Sequence, residues 1–469
     1  MNLTEFLDRS AGRWPEKPAL IEGDELVSYA ALGQRVASLA ASLQALDLPS
    51  GSRVGLSFPN GISYVVLTYA LWRIGAVVVP IPTECTEEEV VEICEAMQVQ
   101  AILGDKPRPH SAPLTPGCFF TRLTPATPPD NHGLNLAFVR FTSGTTSARK
   151  GVALSHETIR DRIRSANQAF HITPEDAIIW CLPMAHHFLI TIVLYLSEGA
   201  TIALARHVLA KPFLEAVNRW RGTVLYAAPF HFSMLARDNS GAAIPSVRLA
   251  VSTTCSLPQN VADDFFKRFG LPLVQGLGVI ELGLVSLNLD DPRARWNSVG
   301  KPAGEFQVRL AEPDADGCGE VAVKGPGIFD AYVAPWVPIQ QVLRDGWFFT
   351  GDIGRFDAAG FLFLLSRKTA VINLAGRKVF PEEIEAVLNR HPDVRESRVY
   401  GRPHPHLGEV VEAELVMRSP EGSLDSVRAF CREHLASYKI PMGFTLVAAV
   451  PRTPVTGKIR RGGDALVAS

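Results

Sequence analysis

The chain has 469 residues with 46 Lys+Arg against 48 Asp+Glu, a formal net charge of −2. At roughly 150 residues per domain this is about three domains of chain, and 47% hydrophobic against 20% charged residues excludes a disordered polymer. Near-neutrality excludes a generic polyanion binder, which needs a surplus of basic residues, so no nucleic-acid partner is expected. Seven cysteines are dispersed, with no CxxC pair and no His-bearing ligand spacing, which predicts reduced packing thiols and a cytoplasmic setting. The leading Met1-Asn2-Leu3-Thr4-Glu5 lacks the basic and apolar runs of a signal peptide. The most apolar stretch, 64–82, is interrupted by Arg73, Gly75 and Pro80, so no membrane span is expected.

In chain order, Ser28 precedes Leu32, Val36, Leu39, Ala40 and Leu43 at helical spacing and predicts a capped amphipathic helix. A strand over 53–58, a helix over 64–73, a buried strand at 76–79, a helix over 87–97 and a strand at 101–103 follow. Such alternation predicts crossovers and a largely parallel sheet. Between Lys106 and Gly133 seven prolines predict an irregular surface connector. Alternation resumes after Asn135 and runs to about Asp290, and turn signals at Asp316-Gly317 and Gly325-Pro326-Gly327 then suit an antiparallel or mixed module. From Arg367 onward about 100 residues, with helices over 381–389 and 426–435 and strands near Ser397 and Val411, form a unit of self-folding size.

The sharpest local feature is Phe141-Thr142-Ser143-Gly144-Thr145-Thr146-Ser147-Ala148-Arg149-Lys150-Gly151, placed directly after an apolar run, 136–139, that reads as a strand. Hydroxyls around a glycine offer backbone and side-chain donors to an anion, and Lys150 adds a mobile charge. An ordinary Ser/Thr-rich turn has the same composition, and the segment is not the GxxxxGK[ST] pattern.

This segment resembles the phosphate loop of the adenylate-forming superfamily: acyl-CoA synthetases, adenylation domains of peptide synthetases and firefly-type luciferases. The resemblance continues in the family's order through Ser28-Tyr29, Gly75-Ala76-Val77, Leu182-Pro183-Met184-Ala185-His186 and Gln275-Gly276-Leu277-Gly278-Val279-Ile280-Glu281. It extends to Trp347-Phe348-Phe349-Thr350-Gly351-Asp352, Arg367 in the hinge element, 376–385, and Pro451-Arg452-Thr453-Pro454-Val455-Thr456-Gly457-Lys458-Ile459.

The resemblance implies an α/β fold. Residues 1–367 would form a large two-lobed portion of mixed, mostly parallel sheets flanked by helices, with a β-rich subdomain and the ATP and acyl sites. Residues 368–469 would form a small mobile α+β domain carrying the catalytic lysine. It further implies that Thr142, Ser143, Gly144, Thr145, Thr146 and Lys150 hold the ATP phosphates, and that Gly276, Leu277 and Arg367 belong to the nucleotide site. Glu281 would coordinate Mg²⁺, Asp352 would accept from the ribose hydroxyls, and Lys458 would bridge the carboxylate and the α-phosphate. His186 would gate the acyl site, lined also by Thr253, Thr254 and Gly276, while adjacent His187 has no such role. Gly376 would line the pantetheine tunnel.

Several residues depart from the family pattern: Ser147 and Arg149 in the phosphate loop, Leu277 for an adenine-stacking aromatic, Ile280 for a threonine, Thr253-Thr254-Cys255 for a small segment, and Ala370 at the hinge. Retention of Lys150, Glu281, Asp352 and Lys458 favours an active enzyme. The expected activity is ATP-dependent carboxylate activation through an acyl adenylate, then thioester formation, leading to a CoA ligase for a fatty or aryl acid. Two alternatives stand beside it: an acyl-carrier-protein ligase using the carrier's phosphopantetheine, or an amino-acid or aryl adenylation enzyme of a biosynthetic pathway, and a non-catalytic nucleotide- or acyl-binding relative.

Overall fold

The computed structural model describes residues 1–125, 129–142, 150–205, 209–374, 377–405, 407–419, 422–452 and 459. Ser143, Gly144, Thr145, Thr146, Ser147, Arg149, Gly376 and Lys458 lie outside the described residues. The α/β chain divides into two compact units, one of residues 1–307 and 324–347, the other of 308–323 and 348–469.

Among the described residues the first unit holds two nine-stranded sheets. One runs in the order Lys301–Pro302, Gly283–Leu287, Val274–Val279, Leu249–Ser252, Val224–Ala227, Ala177–Trp180, Thr201–Leu204, Pro18–Glu22 and Glu25–Ser28, and its central pairings are parallel. The other runs Val337–Pro338, Ala331–Val333, Lys150–Ser155, Leu136–Thr142, Val77–Pro80, Arg53–Ser57, Ala101–Gly104, Cys118–Arg122 and Ala112–Thr115. The predicted local signals act as expected. Ser28 caps the helix Tyr29–Gln44 by accepting from the Ala31 amide at 3.2 Å. Val77, Val78 and Val79 are fully buried in a strand covered on both faces. The helix Ile62–Arg73 buries ten of its twelve residues, and Trp72 Nε1 donates to the Ala137 carbonyl at 2.8 Å. Among the described residues no helix is long and apolar enough to cross a membrane.

The Pro-rich connector is a correction. Within it Cys118–Arg122 pairs antiparallel with Ala101–Gly104, and Ala112–Thr115 pairs with Cys118–Arg122 as the last strand of the sheet. Pro113 is tolerated because an edge strand needs no second row of donors. The same segment also closes around Arg53, whose buried guanidinium donates to the Asp130 and Met97 carbonyls and to the Asn131 and Gln98 side chains.

The second unit contains an antiparallel sheet of Gln307–Ala311, Gly319–Lys324, Phe348–Phe356 and Leu362–Arg367. It also contains a five-stranded sheet built on the long pair Val394–His404 and Gly408–Met417. The helices Pro381–Leu388 and Leu424–His434 share a core with that sheet through Ile384, Leu388, Val399, Leu415, Val427 and Cys431.

Candidate functional site

The Leu136–Thr142 and Lys150–Ser155 strands form an antiparallel pair in which Thr142 faces Lys150 and Arg140 faces Val152. On its other edge Lys150–Ser155 pairs with Ala331–Val333, with Val152 opposite Tyr332. This register brings the exposed Lys150 ammonium to 5.0 Å from the centre of the Tyr332 ring. The Tyr332 hydroxyl donates to Glu281 Oε1 at 3.2 Å. Burial and the Glu281 charge both push the Tyr332 pKa up, so the phenol stays protonated and stays a donor.

Glu281 follows the Val274–Val279 strand and is held through its backbone. Arg162, only 2% exposed, donates to the carbonyls of Glu281 (2.6 Å), Ile280 (2.8 Å) and Gly327 (2.6 Å). Arg162 sits on the helix His156–Phe170, which Ser155 caps by accepting from the Thr158 amide at 3.1 Å. Asp330 fixes that cap by accepting from the Ser155 amide (2.7 Å) and hydroxyl (3.1 Å). Burial lowers the Arg162 pKa to about 10, with Glu281 and Asp330 opposing the drop, so the guanidinium remains charged. In the preceding strand a Cβ on Gly276 would lie 2.6 Å from the Ser286 carbonyl oxygen, and Leu277 beside it is buried.

Arg140 joins this group to His186. Its Nη1 donates to the His186 carbonyl at 2.6 Å, and its Nη2 lies 3.5 Å from His186 Nδ1. Burial first, then the Arg140 charge, pushes the His186 pKa down to about 4, which leaves the imidazole neutral. The Arg140 pKa is lowered to about 10 by burial and supported by Glu281, so the arginine, not the histidine, supplies positive charge here. His186 lies in the short helix Met184–His187, and a π-helical turn, Phe188–Ile192, follows directly. Beyond it, Thr253 accepts a long hydrogen bond from the Tyr226 hydroxyl (3.4 Å), and Thr254 adopts φ 77°, a strained value for a β-branched residue.

In the second unit, Asp352 and Arg367 lie opposite each other on paired strands, and Arg367 Nε contacts Asp352 Oδ1 at 2.9 Å. Arg367 also donates to the Thr350 carbonyl at 3.0 Å.

Thus the first unit brings Lys150, Glu281 and His186 together through Arg140, Arg162 and Tyr332, and the second pairs Asp352 with Arg367. Sequence reasoning missed Arg140, Arg162 and Tyr332. A signal for Arg140 was present, a lone cation ending the apolar run Leu136-Ala137-Phe138-Val139.

The α/β fold with its two nine-stranded sheets is that of an adenylate-forming enzyme. Residues 7–333 match the AMP-binding enzyme family and residues 383–458 its C-terminal domain, and the chain belongs to this family. It is 29% identical to sulfoacetate–CoA ligase of Cupriavidus necator over 96% of this chain and 95% of that protein. It is 28% identical to long-chain-fatty-acid–CoA ligase of Salmonella typhimurium over 98% of this chain and 93% of that protein. The fold matches o-succinylbenzoate CoA synthetase from Bacillus subtilis, solved with an acyl-adenylate intermediate, at TM-score 0.84 and 24% identity, covering 97% of this chain and 96% of that one.

Proposed function

We propose that the protein activates a carboxylic acid with ATP and transfers the acyl group to the thiol of CoA. The observation that carries this reading is the grouping of Lys150, Glu281 and neutral His186 around Tyr332 and Arg140. An acid oxygen attacks the α-phosphorus while the bond to pyrophosphate breaks. The thiolate then attacks the acyl carbon and AMP leaves. Both reactants of the first step are anions, so fixed cations lower its barrier. Arg140 and Lys150 provide such charge in this unit, and Lys458 is assigned the bridge between carboxylate and α-phosphate. Asp352 is assigned the ribose, and its carboxylate is kept in place by Arg367.

Glu281 suits Mg²⁺, which takes one or two carboxylates and completes its shell with phosphates and waters. Among the described residues there is no group of three or more His, Cys, Asp or Glu side chains that could hold a metal ion. The relatives differ in the acids they are named for, sulfoacetate in one and a long-chain fatty acid in the other, so they do not choose the acid for this chain.

ATP–pyrophosphate exchange across a panel of acids tests the first step. Lys458→Ala should lower exchange about 10²–10³-fold, in the range for losing one transition-state charge contact. Asp352→Ala should raise KM for ATP more than KM for the acid. Thioester formation should require CoA, and transfer only to carrier-protein phosphopantetheine would replace CoA as acceptor. Nucleotide binding without exchange for any acid would overturn the assignment in favour of a non-catalytic relative.

A further inference from the structure

Arg140 carries a charge with no counterion bonded to it. It lies near the end of the strand Leu136–Thr142 and is only half-buried, so part of the residue stays accessible. Its hydrogen-bonding contacts among the described residues are with His186, through Nη1 to the carbonyl at 2.6 Å and Nη2 near Nδ1 at 3.5 Å. Glu281 supports the charge through space, but its Oε1 is engaged by the Tyr332 hydroxyl at 3.2 Å. A guanidinium has more N–H donors than His186 takes up.

Other buried cations of the chain are provided for. Arg53 donates to two carbonyls and two side-chain amides, and Arg162 to three carbonyls. Arg398 pairs with Glu414 at 3.0 Å. Arg140 has neither arrangement, and a charge drawn out of water is costly until an anion or a full set of acceptors meets it.

The lining beside Arg140 is polar and uncharged. His186, His187, Tyr226 and Thr253 all keep accessible surface, and the His186 imidazole is neutral. The Tyr226 ring lies 6.4 Å from His187, and its hydroxyl is 3.4 Å from Thr253. Behind Tyr226 the space is filled, because Trp180 stacks on it at 5.9 Å and is itself 1% exposed. A long alkyl chain gains no depth in that direction.

We propose that Arg140 is a specificity-determining residue of the acid site, and that it selects a short acid carrying a second anionic group close to the reacting carboxylate. The inference rests on the acid-activating reading above and names its substrate class. The reacting carboxylate is assigned to Lys458, and the second group accepts from the free N–H groups of Arg140, as a carboxylate or sulfonate oxygen does. An uncharged tail leaves the guanidinium without its anion. The second group makes and breaks no bond, so its pairing strengthens ground state and transition state alike and is read mainly in KM.

The test is pyrophosphate exchange near neutral pH with malonate and succinate, each against its monomethyl ester, and with butyrate. At least one diacid should exceed its half-ester in kcat/KM by about tenfold or more, carried by KM. Arg140→Gln should bring that ratio to about one. Arg140→Lys, which keeps the charge without the fork, should retain a smaller preference, and it serves where Arg140→Gln does not fold. Equal or better use of the half-esters and butyrate by the native protein overturns the inference, as does a ratio unmoved by the substitution. A KM for ATP raised to the same extent with every acid also overturns it, because Arg140 would then meet a phosphate. Should no acid support exchange, the acid-activating reading fails separately. Calorimetric titration with the same acids then decides: diacid binding that Arg140→Gln abolishes supports the inference, and no preference over the half-esters overturns it.

Discussion

His156 and His186 are both held neutral by their surroundings, for related reasons. His156 is buried, its Nδ1 accepts from the Leu3 amide at 3.1 Å, and its ring lies edge-on to Trp72. Burial lowers its pKa from 6.5 to about 4. The unfolded chain therefore binds a proton that the folded one refuses between these values, and stability rises with pH across that window. The contribution is complete above about pH 6.5 and is lost as pH falls towards 4, on the order of 3 kcal/mol for His156. Urea midpoints at pH 7.5 and pH 5 should show this loss in the native sequence and a shallower one in His156→Gln. An identical pH slope in the variant would place the acid sensitivity elsewhere. At this scale the motif that contains Glu281 could be read from sequence, whereas the placement of Arg140 could not. Its role depends on facing His186, 46 positions away, and no local pattern encodes that meeting.

At the scale of elements, Gly276 has a structural task beside its assigned one. The Val274–Val279 and Gly283–Leu287 strands approach so closely that an alanine Cβ would meet the Ser286 carbonyl at 2.6 Å and Leu287 Cδ1 at 2.9 Å. Gly276→Ala should cost about 1–3 kcal/mol, the range for overpacking, with the loss read from the urea midpoint. Native stability combined with a raised KM for ATP would instead mean that the glycine serves only the approach of a ligand. Helices and buried strands were readable wherever apolar spacing and caps agreed, as in Tyr29–Gln44 and Val77–Pro80. The Pro-rich segment misled because proline argues against central strands but not against an edge, and sequence does not say which strand will be last.

At the scale of the whole molecule, the seven cysteines are all free thiols, so oxidative crosslinks contribute nothing to stability and reductant should leave Tm unchanged. Burial pushes the thiols of Cys94 and Cys181 up to about 12 and those of Cys118 and Cys431 to about 11, whereas Cys255 is exposed. A thiol reagent added to the native protein should therefore label Cys255 first and the buried Cys94, Cys118 and Cys431 only on unfolding. Early labelling of Cys431 would mean that the second unit opens under native conditions. The family and the order of its motifs were legible across the chain. The way strands from 308–323 and 348–367 group with the carboxy-terminal residues was not, because that grouping is a matter of long-range contacts. The π-helical turn at Phe188–Ile192 bears on how such a chain can diverge. A π-turn houses one residue more than an α-turn needs, so a gene one codon shorter here could re-form an ordinary helix and leave Tyr195 in place. Length variation, rather than substitution, would then reshape the segment that follows His187.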